Sequence, residues 1–312
     1  MDIVTHGLIG AIAARSGSSQ RLGRPATVTL VTGALLPDID FVMGFFDQMA
    51  AIKYHRGLTH SFIGAVPLVL AAAALLWRWQ GKTRYWAVAG LVYLGVVLHI
   101  LSDLATSYGT MVFFPLSVKR YGLDWVFIVD PVYTAILLAG LILGWRQPDR
   151  AHRYATASLI ALVVYVAMAG VGQQIALSRF RDDLTTWGIR ASQLGIFPEL
   201  PGVVRWRGVA EEGGTFYESR IALWDRSRSR LDTYRNEVSD AELARVASVD
   251  EVQAYLRFAR FPWVQVKQGN PGRTVEIRDL RFGSFGRRES FLLRVVLETG
   301  NARPEVSFHH RF

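Results

Sequence analysis

Four long apolar runs constrain the fold of this chain more than any other feature of its sequence. They cover residues 62–77, 86–104, 131–145 and 154–177. Each approaches the roughly 17–25 residues that an α-helix needs to cross the apolar core of a bilayer. Two shorter apolar stretches, 3–14 and 26–36, are candidates for half-inserted or buried helices. The sequence therefore predicts an all-α polytopic membrane bundle of about four long and two short helices.

The rest of the chain has a different character. Residues 179–312 are mixed and arginine-rich, without a long apolar run. Segments 203–209 and 215–224 alternate in polarity around a Glu-Glu-Gly-Gly turn, and helical periodicity over 240–258 precedes three more alternating segments. We expect a membrane domain over residues 1–178 and an α+β domain with an antiparallel sheet over residues 179–312.

The formal net charge of +9 is explained by topology and not by nucleic-acid binding. The basic residues of the first 178 positions cluster in three loops, and these alternate along the chain with the other loops. Membrane proteins keep such basic loops in the cytoplasm. Segments 37–61 and 105–130 and the C-terminal domain are then expected on the extracytoplasmic side, without a nucleic-acid partner.

Histidine and aspartate side chains gather at the predicted outer ends of the helices. Asp2 and His6 are four residues apart, as are His99 and Asp103, so each pair shares one face of a helix. The other members lie in the stretches LLPDID and HRGLTHS, namely Asp38, Asp40, His55, Arg56 and His60. The predicted topology brings all of these groups to one membrane face.

Two local features shape the loops that carry these groups. Asp38 and Asp40 follow Pro37 and are expected to converge in an extended turn. Gly57 disfavours a continuous helix between His55 and His60, so a loop is expected to turn both inward.

Imidazole and carboxylate ligands together suit zinc or another divalent first-row metal. Ionisable groups at membrane depth are costly, and they usually mark function. Each side chain taken alone also has a structural interpretation as a helix cap or an interfacial residue. Their convergence favours a shared site for one or two divalent ions, with zinc expected and manganese as the second choice.

Four motifs in this order resemble a known family: MDxxTH, LLPDID, HRGxTHS and HxxxDxxTxYG. Over roughly residues 1–180 the chain resembles the YdjM-type family of bacterial inner-membrane proteins, described as membrane-bound metal-dependent hydrolases. That family is in turn distantly similar to the zinc-dependent phospholipase C and P1-type nuclease group.

The resemblance implies a ligand set, namely His6, Asp40, His60, His99 and Asp103, with Asp103 placed to bridge two ions. Asp38 and His55 would be ligands or would orient them, and Asp2 is a further candidate ligand. The His-x-x-x-Glu pair that completes a three-zinc cluster in the soluble phospholipases has no counterpart after Asp103. At most two ions are therefore expected.

We therefore expect a multi-pass hydrolase of the bacterial inner membrane whose site and C-terminal domain face the periplasm. It would cleave a phosphoester of a lipid or lipid-linked substrate with metal-activated water, with Asp38 as a candidate general base. Arg56 either binds the anionic group of the substrate or anchors to lipid phosphate. The alternatives are a transporter or metal-binding protein using the same cluster, and a scaffold with a structural metal. The sequence does not indicate the oligomeric state.

Overall fold

The computed structural model describes residues 1–18, 23–45, 48–81, 84–225, 230–238, 243, 246–268, 272–285, 291–298 and 305–309. The chain divides into two compact units. The first holds residues 1–41, 56–172 and 200–203, and the second holds residues 42–55, 173–199 and 204–312.

The first unit is helical, and the four long apolar runs are all helices, as predicted. The helices up to residue 186 are α1 (Ile3–Ala13), α2 (Arg24–Leu35), α3 (Gln48–Tyr54), α4 (Val66–Gln80), α5 (Tyr85–Leu104), α6 (Pro131–Arg146) and α7 (Ala151–Thr186). Of these, α3 lies in the second unit, and α7 begins in the first unit and ends in the second. The predicted domain boundary after residue 178 thus lies inside α7.

Three helices among the described residues are long and apolar enough to cross a membrane, over residues 24–44, 85–104 and 148–186. The helices α4 and α6 are apolar but shorter, with 15 and 16 residues. The first of the three spans extends well beyond the short stretch expected at 26–36.

The prediction of an extended turn after Pro37 is wrong, because a 3₁₀-helix over Leu36–Phe45 continues α2 directly. Pro37 has no N–H for the next α-helical hydrogen bond, and the chain tightens into 3₁₀ geometry at that position. The expected break near Gly57 is confirmed, since a turn precedes the short 3₁₀-helix Leu58–His60.

The helices α2 and α5 pack backbone to backbone. A Cβ atom on Gly33 would lie 2.3 Å from the carbonyl oxygen of Val92, and one on Gly95 would lie 2.6 Å from that of Leu30. Small residues allow such close helix approach inside membranes. The approach places the carbonyl oxygen of Ala34 2.7 Å from Nδ1 of His99.

The second unit contains two four-stranded antiparallel sheets, each with its strands in sequence order. The strands are β1 (Gln193–Pro198), β2 (Arg205–Glu212), β3 (Thr215–Ala222), β4 (Leu231–Arg235), β5 (Pro262–Gln268), β6 (Gly272–Asp279), β7 (Leu292–Glu298) and β8 (Glu305–His309). The predicted hairpin is confirmed, because Gly213 and Gly214 join β2 to β3 with positive φ angles of 56° and 78°.

One further helix, α8 (Asp250–Phe258), connects the two sheets and packs against α3. It forms the second half of the helix predicted over 240–258, and the expected start at Asp240 lies outside the described residues. The expected antiparallel α+β character is thus observed, with two sheets where one was predicted.

Two charge clusters are built into these sheets. Arg207 on β2 is fully buried, donates to the carbonyl oxygens of Leu280 and Arg281 and pairs with Glu218 at 3.3 Å. Glu276 at the centre of β6 accepts hydrogen bonds from three cationic neighbours, Lys267, Arg278 and Arg294.

Candidate metal centre

The cap of α1 determines where His6 lies. Oδ1 of Asp2 accepts from the backbone N–H of Thr5 at 3.0 Å, and Oδ2 accepts from the Thr5 hydroxyl at 2.6 Å. This N-cap fixes the first turn, in which His6 is fully buried. The His6 ring stacks on that of His99 with centroids 3.6 Å apart. The structure thus places Asp2 in the cap and brings His6, not Asp2, to the cluster.

The last turn of α5 supplies two donors on one helix face, as the i, i+4 spacing predicted. Nε2 of His99 lies 3.4 Å from Oδ2 of Asp103. The carbonyl oxygen of Ala34 can only accept a hydrogen bond, so Nδ1 of His99 carries the proton. Nε2 of His99 therefore presents its lone pair toward Asp103, in the orientation that metal-ligating histidines adopt.

The two aspartates of LLPDID lie on either side of one imidazole ring. Oδ1 of Asp38 lies 3.5 Å from Nε2 of His60, and Oδ2 of Asp40 lies 3.2 Å from Nδ1 of the same ring. Asp40 also accepts from the Thr59 hydroxyl at 2.8 Å and from the backbone N–H of Arg56 at 3.2 Å. Asp38 thus faces the cluster, whereas Asp40 contacts His60 from outside it.

Four donor atoms form a closed ring: Nε2 of His60, Oδ1 of Asp38, Nε2 of His99 and Oδ2 of Asp103. The successive separations around this ring are 3.5, 3.6, 3.4 and 3.5 Å. Zinc binds nitrogen and oxygen ligands at about 2.0–2.2 Å, so the edges of a tetrahedral zinc site measure about 3.3–3.6 Å. The four observed separations lie within this range, and the donors fall into two groups that could each hold an ion, namely His6, Asp38 and His99, and His60, His99 and Asp103.

Several donors of the cluster are buried without a hydrogen bond. Across the described residues, neither Nε2 of His99 nor Oδ2 of Asp103 has a hydrogen-bond partner, and the same is true of both ring nitrogens of His6. Buried polar atoms are nearly always hydrogen-bonded, so such a group of atoms calls for an explanation. A bound cation would take the lone pairs of Nε2 of His99, of Oδ2 of Asp103 and of one ring nitrogen of His6, while the other ring nitrogen of a neutral His6 carries the proton.

His6 adds a fifth donor beside this ring. Its Nε2 lies 3.3 Å from Oδ1 of Asp103, while Oδ2 of the same carboxylate faces His60 and His99. Oδ1 of Asp103 therefore faces His6, and Oδ2 faces the ring of donors. The five side chains could hold one ion with an additional ligand, or two ions that share Asp103.

Arg56 is buried and turned toward the same carboxylate. Its Nη2 lies 2.7 Å from Oδ1 of Asp103, its Nη1 donates to the Thr106 hydroxyl at 3.0 Å, and its guanidinium lies 4.7 Å from the centre of the Tyr108 ring. The amino group of Met1 also contacts Oδ1 of Asp103. Oδ1 of Asp103 is therefore shared by His6, Arg56 and the Met1 amino group.

The remaining predicted site residue, His55, lies at the division between the units. It is partly buried and ends the segment 42–55 that belongs to the second unit.

Two contributors were not assigned from the sequence. One is Thr59, whose hydroxyl lies 3.0 Å from Nδ1 of His60. Its position directly before His60 was the available signal. The carbonyl of Ala34 carries no signal in the sequence, because any residue supplies that group.

The cluster is most accessible at the LLPDID segment. The side chain of Asp38 is 16% exposed and that of Asp40 is 7% exposed, whereas those of His6, His60 and His99 are fully buried. Exposed apolar side chains lie in or next to the LLPDID and HRGLTHS motifs in the sequence, namely Ile39, Phe41 and Leu58.

These features define an integral membrane protein with a candidate divalent-metal centre. Residues 1–176 match the family described as YdjM inner membrane protein. The match covers more than half of the 312 residues, and the chain belongs to this family. Its location in a membrane follows from the family and the apolar helices.

The chain is also similar to "Uncharacterized protein YfhP" of Bacillus subtilis (strain 168). The two are 24% identical over 295 residues, which cover 92% of this chain and 88% of the relative. No solved structure matches the chain. The similarity to phospholipase C and P1-type nucleases stays a prediction.

Proposed function

We propose that this protein is a membrane-bound metal-dependent hydrolase that cleaves a phosphoester of a lipid or lipid-linked substrate at the periplasmic face of the inner membrane. The observation that carries the proposal is the ring of four donors, in which Nε2 of His99 and Oδ2 of Asp103 are buried without a hydrogen bond. A divalent cation accounts for both the distances and the missing hydrogen bonds.

In this proposal Asp38, His60, His99 and Asp103 hold the ion, and His6 is the fifth donor. Asp38 becomes a ligand in place of the general base expected from the sequence, while Asp40 moves from ligand to a group that orients His60. Zinc suits this donor set, and manganese is the alternative. When bound, such an ion activates a water molecule and polarises a phosphoryl oxygen.

Arg56 supplies a contact for the anionic group of the substrate. Its Nη2 pairs with Asp103, and its Nε has no hydrogen bond within the described part of the chain. A guanidinium binds phosphate oxygens through two parallel hydrogen bonds. In this position Arg56 binds and orients a phosphoryl group next to the donors, and Tyr108 supports the guanidinium from one side.

The partial exposure of Asp38 favours an enzyme over a structural metal site. Structural zinc sites are closed, whereas catalytic ones keep a position for water or substrate. The exposed apolar side chains in or next to the two motifs in the sequence, Ile39, Phe41 and Leu58, suit the acyl chains of a lipid. A transporter would place polar groups along a path through the membrane, whereas these donors meet in one cluster.

The proposal is tested first by metal content and then by hydrolysis. The detergent-purified protein is compared with His60→Ala and Asp103→Ala by elemental mass spectrometry. The matched controls are His152→Ala and Asp149→Ala, which remove the same residue types at exposed positions outside the cluster. We expect one or two zinc or manganese ions per chain in the wild type and the controls, and loss of metal from the two cluster variants.

Release of phosphate or headgroup from phospholipids in mixed micelles is then measured with the same five proteins. We expect turnover only in those that retain metal, with loss on chelation and recovery when the metal is restored. A metal-free wild type would end the metal proposal. A wild type that holds metal but cleaves no phosphoester lipid would refute the hydrolase proposal. The protein would then be interpreted as a metal-binding membrane protein.

A further inference from the structure

The loop between α5 and α6 has an exposed apolar tip. A reciprocal pair of backbone hydrogen bonds between Thr110 and Tyr121, at 2.8 and 2.9 Å, closes the base of the tip. Between them, Phe113, Leu116 and Val118 are 46%, 78% and 71% exposed. An exposed group of large apolar side chains usually marks a surface that binds a partner or a membrane.

This tip is fixed to the HRGLTHS segment. The backbone N–H of Met111 donates to the carbonyl oxygen of Arg56 at 2.9 Å, and that of Phe62 donates to the carbonyl oxygen of Val112 at 3.1 Å. The Ser61 hydroxyl donates to the same Val112 carbonyl oxygen at 3.2 Å. The loop therefore holds its apolar side chains in a defined position beside the segment that carries Arg56 and His60.

Two cations lie directly beside the apolar tip. Nζ of Lys119 lies 5.3 Å from the centre of the Tyr121 ring, and that ring meets the Phe113 ring edge-on at 5.6 Å. The guanidinium of Arg120 lies 5.9 Å from the centre of the Tyr108 ring. The sequence has no acidic residue from Ala105 to Leu123. The loop thus combines an apolar face with a net positive charge.

We propose that this loop docks an anionic phospholipid, with the headgroup against Lys119 and Arg120 and the acyl chains along Phe113, Leu116 and Val118. The charge of the loop selects the headgroup, because a cation near anionic lipid favours binding whereas a zwitterionic headgroup offers no net charge. The exposed apolar side chains match the acyl chains next to it. Docking does not require the neighbouring metal centre to be catalytic, and it is measured without turnover.

Native mass spectrometry of the full chain in detergent tests the proposal with two lipids of identical acyl chains, phosphatidylglycerol and phosphatidylcholine. The wild type should retain phosphatidylglycerol preferentially. The double variant Lys119→Gln, Arg120→Gln should lose about five-fold in affinity for phosphatidylglycerol for each charge removed, with little change for phosphatidylcholine. The control Arg146→Gln, Arg150→Gln removes two exposed charges at and just after the C-terminal end of α6 and should behave as the wild type does.

A second variant tests the apolar part of the surface. Leu116→Ser combined with Val118→Ser should weaken retention of both lipids, because the acyl chains are the same in both. Equal retention of the two lipids by the wild type would overturn the proposal, as would an unchanged preference in the Lys119 and Arg120 variant. A loss of equal size in the Arg146 and Arg150 control would also overturn it. Displacement of the lipid by soluble glycerol phosphate would show a headgroup site without acyl-chain docking.

Discussion

Replacing Asp40 by Asn separates the groups that bind the ion from the groups that orient them. Oδ2 of Asp40 accepts from Thr59 and from the Arg56 backbone, and lies 3.2 Å from Nδ1 of His60. Asn keeps a neutral acceptor of nearly the same shape but removes the negative charge. Hydrogen bonds to an ionised partner are about twice as strong as neutral ones, so the Nδ1 contact should weaken and not disappear.

The expected loss of metal affinity follows from the position of Asp40 outside the ring of donors. Changes to groups that orient a metal-bound histidine typically lower metal affinity about 10- to 100-fold, which corresponds to about 1.4–2.7 kcal/mol. We therefore expect Asp40→Asn to bind metal with the wild-type stoichiometry and an affinity reduced by this factor. Asp38→Asn should lose more, because in the proposal its oxygen is a ligand and an amide oxygen is a weaker donor.

Competition with a chromophoric chelator gives the dissociation constants of the wild type, Asp40→Asn and Asp38→Asn, with Asp149→Asn as the exposed control. Complete loss of binding in Asp40→Asn, equal to that in Asp38→Asn, would show that Asp40 is itself a ligand, as the family resemblance implied. An affinity equal to that of the wild type would refute the reasoning, because the Asp40 carboxylate would then contribute nothing to the orientation of His60.

Three further predictions concern the scaffold, each measured by thermal unfolding in detergent. Gly33→Ala should destabilise the protein by about 1–3 kcal/mol, because the new methyl group would meet the Val92 carbonyl, whereas Gly90→Ala, which has open space, should not. Arg207→Met should cost about 3–5 kcal/mol, since it leaves a buried carboxylate and two carbonyl oxygens without their partner. Burial disfavours the ionised form of Glu276, but its three cationic neighbours outweigh this and hold its pKa at about 2, below the usual 4.5. Its contribution is therefore complete above pH 4.5 and lost as the pH falls toward 2, so the difference in midpoint between the wild type and Glu276→Gln should shrink over that interval.

Local periodicity was sufficient to predict part of this molecule. The apolar runs gave the helices because length and hydropathy decide membrane insertion, and the i, i+4 spacing gave the shared face of His99 and Asp103. The same spacing predicted a shared helix face for Asp2 and His6. Asp2 instead precedes the helix, and its carboxylate caps it. Spacing shows which side chains share a face, but it does not show whether a residue lies inside the helix or at its cap.

Tertiary packing determined what periodicity could not predict. The segment 42–55 follows LLPDID and ends at the first residue of HRGLTHS, and the sequence grouped it with the membrane domain. In the structure α3 packs against α8, and the segment belongs to the second unit. Contacts between elements that lie some 200 residues apart leave no mark in a local pattern, so this grouping could only come from the structure.

The contrasting positions of Asp38 and Asp40 follow from one proline. In an extended turn, side chains two residues apart point the same way, and both carboxylates would have faced the ion as equivalent ligands. In a 3₁₀-helix, with three residues per turn, they point about 120° apart. That angle lets Asp38 face Nε2 of His60 while Asp40 contacts Nδ1 of the same ring. Because Pro37 lacks the N–H that would continue α2, it sets the backbone geometry that distinguishes a candidate ligand from a group that orients one.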